Sequence, residues 1–261
     1  MEVVIIGTGN VATVLSKLII KNGHTILEVL GREYTKALAI ADTVGAKAIN
    51  VSSDINTDAD IYIIAVSDDA IADITSGLLL QNKLVIHTAG SISGDILKNM
   101  SNNYGVLWPL QTLRKEMQRI PKIPFVIDAN NDAAFTLLEQ FAKSLSTQCI
   151  RANDAERVKL HLAAVAVSNF TNYLFALAEN YCKNEGLGFK LLFPLIDETV
   201  KRIEHHSAKD VQTGPAIRGD VETIQKHLYL LKKYPDFKKV YQLLTAGISH
   251  KQKFPMRNQR E

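Results

Sequence analysis

Cysteine is scarce in this chain: Cys149 and Cys182 are the two among 261 residues, and they form no CxxC pair. Two isolated thiols exclude a disulfide framework and a zinc knuckle, and they fit a reducing compartment. An excess of one charge is also missing. Lys and Arg number 30 against 27 Asp and Glu, a net charge of +3. That balance is too small to argue for a nucleic-acid partner, though it suits an anionic small molecule. A long uninterrupted apolar run is absent too. The longest, Leu162 to Ala178, is broken by Ser168, Asn169, Thr171 and Asn172, so a buried helix is expected and no membrane span. The first strand begins at Glu2-Val3, which leaves no room for a signal peptide. No internal repeat or low-complexity segment is found. These absences lead to the expectation of a soluble, cytoplasmic protein.

The length favours two domains. Through the first half, short β-rich runs alternate with helical stretches: Val3 to Ile6, Ile26 to Leu30, a short run near Lys47 to Asn50, "DADIYIIAVS" and "KLVIHTAG". Helices are expected after the glycine turn as far as Asn22-Gly23, then over "KALAIADTVGA", Asp68 to Leu80 and Ile92 to Met100. Further strands at Phe125 to Ile127 and Thr147 to Ile150 flank a helix from Asp132 to Leu145. Such alternation implies a parallel sheet covered on both faces. From Asp154 the period is helical. The expected fold is an α/β Rossmann doubly wound sheet over residues 1–152, followed by an all-helical substrate and dimerisation domain over 153–261. Asn153-Asp154 with Glu156 marks a helix start continuing to about Asn184. Further helices are expected over Phe189 to His206, Val221 to Lys232 and Phe237 to His250, with a frayed basic tail.

The first turn carries chemistry. Gly7-x-Gly9-x-x-Ala12 follows a strand and opens a helix. Gly7 permits the tight turn, Gly9 admits a pyrophosphate to the backbone, and Ala12 lets helix and strand pack closely. The amides at the helix start, over Thr8, Gly9, Asn10 and Val11, then bind the anion. An NAD site would carry an acid at the tip of the second strand. Glu28 lies mid-strand, and the tip is Gly31-Arg32. Arg32 would pair with a 2′-phosphate, with Gly31 leaving space for it, so NADP(H) is favoured; a solvated arginine is the alternative. The turns after later strands, with Val66, Ser67 and Asp68, then His87 and Ser91, are expected to line the nicotinamide half. Ser67 and Asp68 could equally cap a helix, and His87 could be a packed histidine or a proton donor.

On a uniform helix, Arg157, His161, Ser168, Asn172 and Glu179 share one polar stripe, available to structural hydrogen bonds or to a ligand. "TGPAIRGD", residues 213 to 220, interrupts the helical half. Gly214 and Pro215 would stop one helix, Asp220 would cap the next, and Arg218 would either face a ligand or pair with Asp220. Adjacent His205 and His206 diverge by about 100° on a helix, and no metal is expected.

Four stretches, "GTGNVA", "HTAGS", "YGVLWPLQTL" and "TGPAIRGD", with "LHLAAVAVSNFTNYL" among them, support a resemblance. The chain resembles the Rossmann-like NADP oxidoreductases whose C-terminal half is catalogued as a domain of unknown function. More distantly it is similar to pyrroline-5-carboxylate reductase, the deazaflavin-dependent NADP oxidoreductases and the 6-phosphogluconate dehydrogenase superfamily. The resemblance implies an NADP-binding domain, a helical second domain and dimers pairing through those helices. It supplies no substrate. One departure stands out: the β-hydroxyacid dehydrogenases carry a catalytic lysine four residues before an asparagine, and with Asn169 as that asparagine the lysine's place holds Val165. His161, one turn earlier, is then the expected general acid/base. Asn169 and Gln111 would orient a small imine or carbonyl substrate, and Arg218 would hold a carboxylate. A non-catalytic NADP-binding sensor or assembly protein is the alternative.

Overall fold

The structure is a computed structural model that describes residues 1–75 and 77–253. Of the basic tail expected to fray after His250, residues 251–253 continue the last helix and residues 254–261 lie outside the described residues. The chain divides into two compact units, Met1–Ser168 and Asn169–Glu261.

In the first unit eight strands form one sheet in the order β3-β2-β1-β4-β5-β6-β7-β8. They are β1 (Glu2–Ile6), β2 (Thr25–Leu30), β3 (Lys47–Ile49), β4 (Ile61–Ile64), β5 (Gln81–His87), β6 (Ser101–Pro109), β7 (Phe125–Ala129) and β8 (Cys149–Arg151). Every neighbouring pair is parallel except β6 and β7, which run antiparallel. The first six strands thus follow the doubly wound dinucleotide-binding order.

Period-two alternation sends alternate residues of each strand to opposite faces. Val3, Ile5, Ile61 and Ile63 pack on one face with Leu15 and Ile19 of α1 (Asn10–Lys21), Ile40 of α2 (Tyr34–Val44) and Phe141 of α4 (Asp132–Leu145). Val4, Ile6, Tyr62 and Ile64 pack on the other with Ile71 of α3 (Asp68–Thr75), Leu97 and Met100. Each fully buried aliphatic side chain contributes roughly 1.5–3 kcal/mol, so both faces resist polar substitution.

Three elements depart from the sequence expectation. The helix anticipated over Ile92 to Met100 is one 3₁₀ turn, Gly94–Leu97, capped by the Ser93 hydroxyl accepting from the Asp95 amide. Its apolar spacing imitates a helix, but Ile96, Leu97 and Met100 are covering the sheet. The stretch that follows, without a strand in the sequence reading, is β6, the longest strand among the described residues. Its polar first half, Ser101-Asn102-Asn103, hides the pattern by hydrogen-bonding to Gln81, Asn82 and Lys83. The helix from Asp68 ends at Thr75, ahead of Gly77 and short of Leu80.

The sheet ends at Arg151, and α5 (Asp154–Ala164) starts with a complete capping box between Asn153 and Glu156. A π-helical turn, Val165–Phe170, joins α5 to α6 (Thr171–Asn184), and the division between the two units falls inside it. Bonding from i to i+5 widens that turn. The uniform 100° spacing from which the polar stripe was read therefore does not hold through it. The whole helix Asp154–Asn184 is long and apolar enough, by length and composition, to cross a membrane.

The second unit is helical: α6, α7 (Phe193–His205), the one-turn α8 (Pro215–Arg218), α9 (Val221–Leu230) and α10 (Pro235–Lys253). Tyr234 ties it together, stacking edge-on with Tyr181 at 5.1 Å and donating to the Glu185 carboxylate at 2.6 Å.

Candidate functional site

The turn after β1 is set by sterics. Gly7 has φ +130°, and a Cβ there would stand 2.2 Å from the Ala65 carbonyl oxygen. Its amide donates to the Leu30 carbonyl at 2.8 Å, so β1, β2 and β4 close on one residue. Gly9 occupies the N-cap of α1, no side chain caps that helix, and nothing lies within 4 Å of its missing Cβ. The first amides of α1 are therefore left to an anion. Ala12 is buried between helix and sheet. Asn10 accepts the Lys115 amide at 3.1 Å and so anchors the loop that follows β6.

A cavity of about 560 Å³ opens on this turn. Thr8, Val11, Gly31, Arg32, Val66 and Ser67 all line it. So do Lys36, Asn50 and Ser52, which sequence reading missed although the short third strand pointed to its own carboxyl end. Arg32 is exposed and has no ion pair among the described residues, because Glu33 is taken by Lys36 at 2.7 Å. Glu28 is buried instead, accepting the Asn56 amide at 2.8 Å and meeting Lys47 at 3.3 Å, so it is committed to the sheet.

Gly31, in the cavity lining, also admits the Thr8 methyl, since a Cβ there would stand 2.4 Å from Thr8 Cγ2. One expectation requires correction. His87 is fully buried and does not line the cavity. Its Nδ1 accepts the Ala89 amide at 3.2 Å, which leaves Nε2–H to donate to the Ser93 carbonyl at 3.3 Å. Burial first, and then the charge of Arg157, pushes its pKa down to about 4. Asp68 and Ser91 bond to each other at 2.8 Å, joining the loops after β4 and β5.

The β5 and β6 ends, at the same carboxyl edge of the sheet, carry a second group. His161 on α5 lies half-buried, its ring 5.5 Å from that of Trp108. A Cβ on Gly90 would meet both rings at 2.7 Å, so only glycine fits. Among the described residues neither ring nitrogen of His161 is hydrogen-bonded. Thr112, in the loop after β6, and Ser168 share a hydroxyl contact of 3.0 Å. The Gln111 carboxamide closes its own loop, donating to the Lys122 carbonyl at 3.3 Å and accepting the Thr112 amide at 2.9 Å.

Asn169 and Arg218 belong to the second unit, and both are exposed. In "TGPAIRGD", Gly214 (φ +111°) and Pro215 open the one-turn α8, where the sequence suggested they end a helix, and Gly219 (φ +67°) closes it. Asp220 then caps α9, accepting the Thr223 amide at 3.1 Å. Arg218 makes no ion pair among the described residues. No group of three or more His, Cys, Asp or Glu among the described residues is placed to hold a metal.

A glycine turn opening a helix at the carboxyl edge of a sheet in this order defines a dinucleotide-binding protein of the Rossmann class. Residues 2–90 match the family "NADP oxidoreductase coenzyme F420-dependent", and residues 123–248 match "Domain of unknown function (DUF2520)". A Bacteroides fragilis protein provisionally described as an NADP oxidoreductase is 35% identical, with a TM-score of 0.89 over 95% of this chain and 98% of that one. The chain belongs to this family of NADP oxidoreductases with a C-terminal domain of unknown function, and NADP(H) is its cofactor. Two more distant structures share the fold. An imine reductase from Myxococcus stipitatus in complex with NADP+ is 17% identical, covers 97% and 94% of the two chains and has a TM-score of 0.68. A reductive aminase from Aspergillus terreus in complex with NADPH and ethyl-5-oxohexanoate is 14% identical, covers 97% and 93% and has a TM-score of 0.73. No curated protein matches the chain. The cavity fits the nucleotide, since the open Cβ position at Gly9 and the uncapped amides of α1 are what a pyrophosphate requires.

Two outcomes follow. Gly9→Val places a side chain in open space, so melting temperature is expected to hold while NADPH affinity falls at least tenfold. Gly7→Ala clashes with the Ala65 carbonyl and is expected to lower the melting temperature itself. Fluorescence titration and thermal melts of both variants check this, and equal NADPH affinity in Gly9→Val contradicts it. The second outcome concerns His87. Its folded pKa of about 4 lies below the unfolded value near 6.5, so between those values the unfolded chain binds more protons. Stability from this group is complete above pH 6.5 and is lost as pH falls towards 4, by roughly 3 kcal/mol. Urea unfolding across that window should show the fall, and His87→Gln should flatten it; an unchanged slope in the variant contradicts the assignment.

Proposed function

We propose that the protein is an NADPH-dependent reductase of a small substrate carrying a C=N or C=O double bond, with His161 as general acid/base. The observation that carries this reading is the unpartnered His161 imidazole, held against Gly90 and Trp108 at the sheet edge on which the nucleotide cavity opens. Bound NADPH supplies the hydride. The substrate nitrogen or oxygen then needs a proton, and an imidazole whose ring nitrogens are not engaged by the protein can hand one over. Val165, where the β-hydroxyacid dehydrogenases have lysine, cannot move a proton, which supports His161 in that task. The imine reductase and reductive aminase of the same fold support the C=N class. Asn169 and Gln111 orient the substrate, and Arg218 holds its carboxylate where it has one. Arg32 selects NADPH through the 2′-phosphate. The test is NADPH oxidation against a panel of cyclic imines and of ketones with amines. His161→Gln is expected to lower kcat at least a hundredfold with NADPH affinity retained. Arg32→Ala should cost NADPH, and not NADH, about 1.5–3 kcal/mol of affinity. NADPH binding without turnover on any member of the panel would favour a non-catalytic NADP-binding sensor or assembly protein.

The helices of the second unit are also read as a homodimer interface. Phe170, Leu191, Leu195 and Leu243 are each more than 60% exposed, an apolar load that a second copy of the chain would cover. The polar Ser168, Asn169, Thr171 and Asn172 within the helix favour a protein partner over lipid. An obligate interface of this kind buries more than roughly 2,000 Å² in total. Sedimentation at low micromolar concentration is expected to give twice the 28.9 kDa chain mass; a monomer alone would contradict the reading.

A further inference from the structure

We infer that Arg157 is a positioning residue, whose buried guanidinium fixes the loop after β5 against the helix that carries His161. The inference rests on the role proposed for His161. Arg157 is fully buried. Its Nη2 donates to the Ile92 carbonyl and, at 2.7 Å, to the Asp154 carboxylate. Nε and Nη1, with three of the five guanidinium hydrogens, have no partner among the described residues.

A buried cation with most of its donors unmet is a poor device for stability. Replacing such a group with an apolar side chain of similar volume is often neutral or stabilising. What the guanidinium does achieve is geometric. It grips the loop at Ile92 and the helix at Asp154. Ser93 of the same loop bonds to Asp154 as well. Burial pushes the Asp154 carboxyl up, but the bonds from Ser93 and Arg157 outweigh it and hold it below the usual carboxylate range. The neutral His87 secures the same loop from the sheet side through the Ser93 carbonyl.

The gripped loop, Thr88 to Ser93, has two contacts that matter for the chemistry. Gly90 lies against His161 and Trp108, and Ser91 bonds to Asp68 next to the cavity-lining Ser67. Arg157 lies one turn before His161 on α5. One side chain therefore sets the spacing between the proton-carrying helix and the loop that borders the nucleotide cleft. It makes no hydrogen bond to His161 among the described residues and acts through Ile92.

The test compares Arg157→Met, which fills the space without charge, with Arg157→Lys, which keeps one point charge. Three quantities are read: NADPH Kd, kcat on the imine found in the panel, and the proton NOE between His161 Hδ2 and Gly90 Hα in the cofactor-free protein. Arg157→Met is expected to lower kcat at least tenfold with NADPH Kd within threefold, and to weaken the NOE. Arg157→Lys is expected to fall between threefold and tenfold in kcat. His87 gives an independent signature. The charges facing it are Arg157, Asp154 and Asp68, and losing the first should move its titration upward from about 4. Wild-type kcat and NOE in a folded Arg157→Met protein overturn the inference. Should that variant not fold, Arg157→Lys decides by the same two readouts. A wild type without turnover would defeat the proposed reaction, and the NOE alone would then decide the positioning role.

Discussion

A backbone carbonyl, that of Ala65, stands where any side chain at Gly7 would have to be. The close approach of β1 and β4 at that point brings the strand ends together, and the first turn of α1 follows directly from it. With Gly7 at φ +130°, the chain reverses in one residue and sends α1 back along the sheet, its uncapped amides facing the cavity. Relaxing the turn would separate the strand ends and point the amides elsewhere. Neighbouring glycines serve related ends. Gly31 lets Thr8 seat against the second strand, and Gly90 lets two rings meet over the loop after β5.

How much of this could be read from the sequence depended on whether each signal was local. The glycine turn, the capping box at Asn153 and Glu156, and the cap at Asp220 were legible because each is a short pattern with one steric or hydrogen-bond cause. The strand β6 was not, since its first three residues are polar and are satisfied by β5 and its preceding turn. The Ile92 to Met100 stretch was misread for the opposite reason. Its apolar spacing is helical, but those side chains cover the sheet from a single 3₁₀ turn. The π turn at Val165–Phe170 could not be foreseen from residue spacing.

The candidate site divides in the same way. The nucleotide turn and Arg32 came from motif logic. The seating of the Thr8 methyl against Gly31 was not legible, because that contact is a tertiary fact. His87 was left between two roles, and burial with two backbone partners makes it a packing histidine that secures a loop. Arg157 was visible as one member of a polar stripe, but nothing in the sequence says that it would be buried with three of its five donor hydrogens unmet. Such a group is costly to keep, and the cost has a function if it holds the loop that meets His161.

The central claim is that NADP(H) binds across the turn at Gly7 to Ala12 and along the strand ends towards Val66. The most direct measurement is an amide NMR titration of the nitrogen-labelled protein with NADPH. The account predicts that the largest shifts fall on Gly7, Gly9, Val11, Arg32 and Val66, with saturation at one equivalent per chain. Saturable binding that leaves those amides unmoved and shifts others would contradict it.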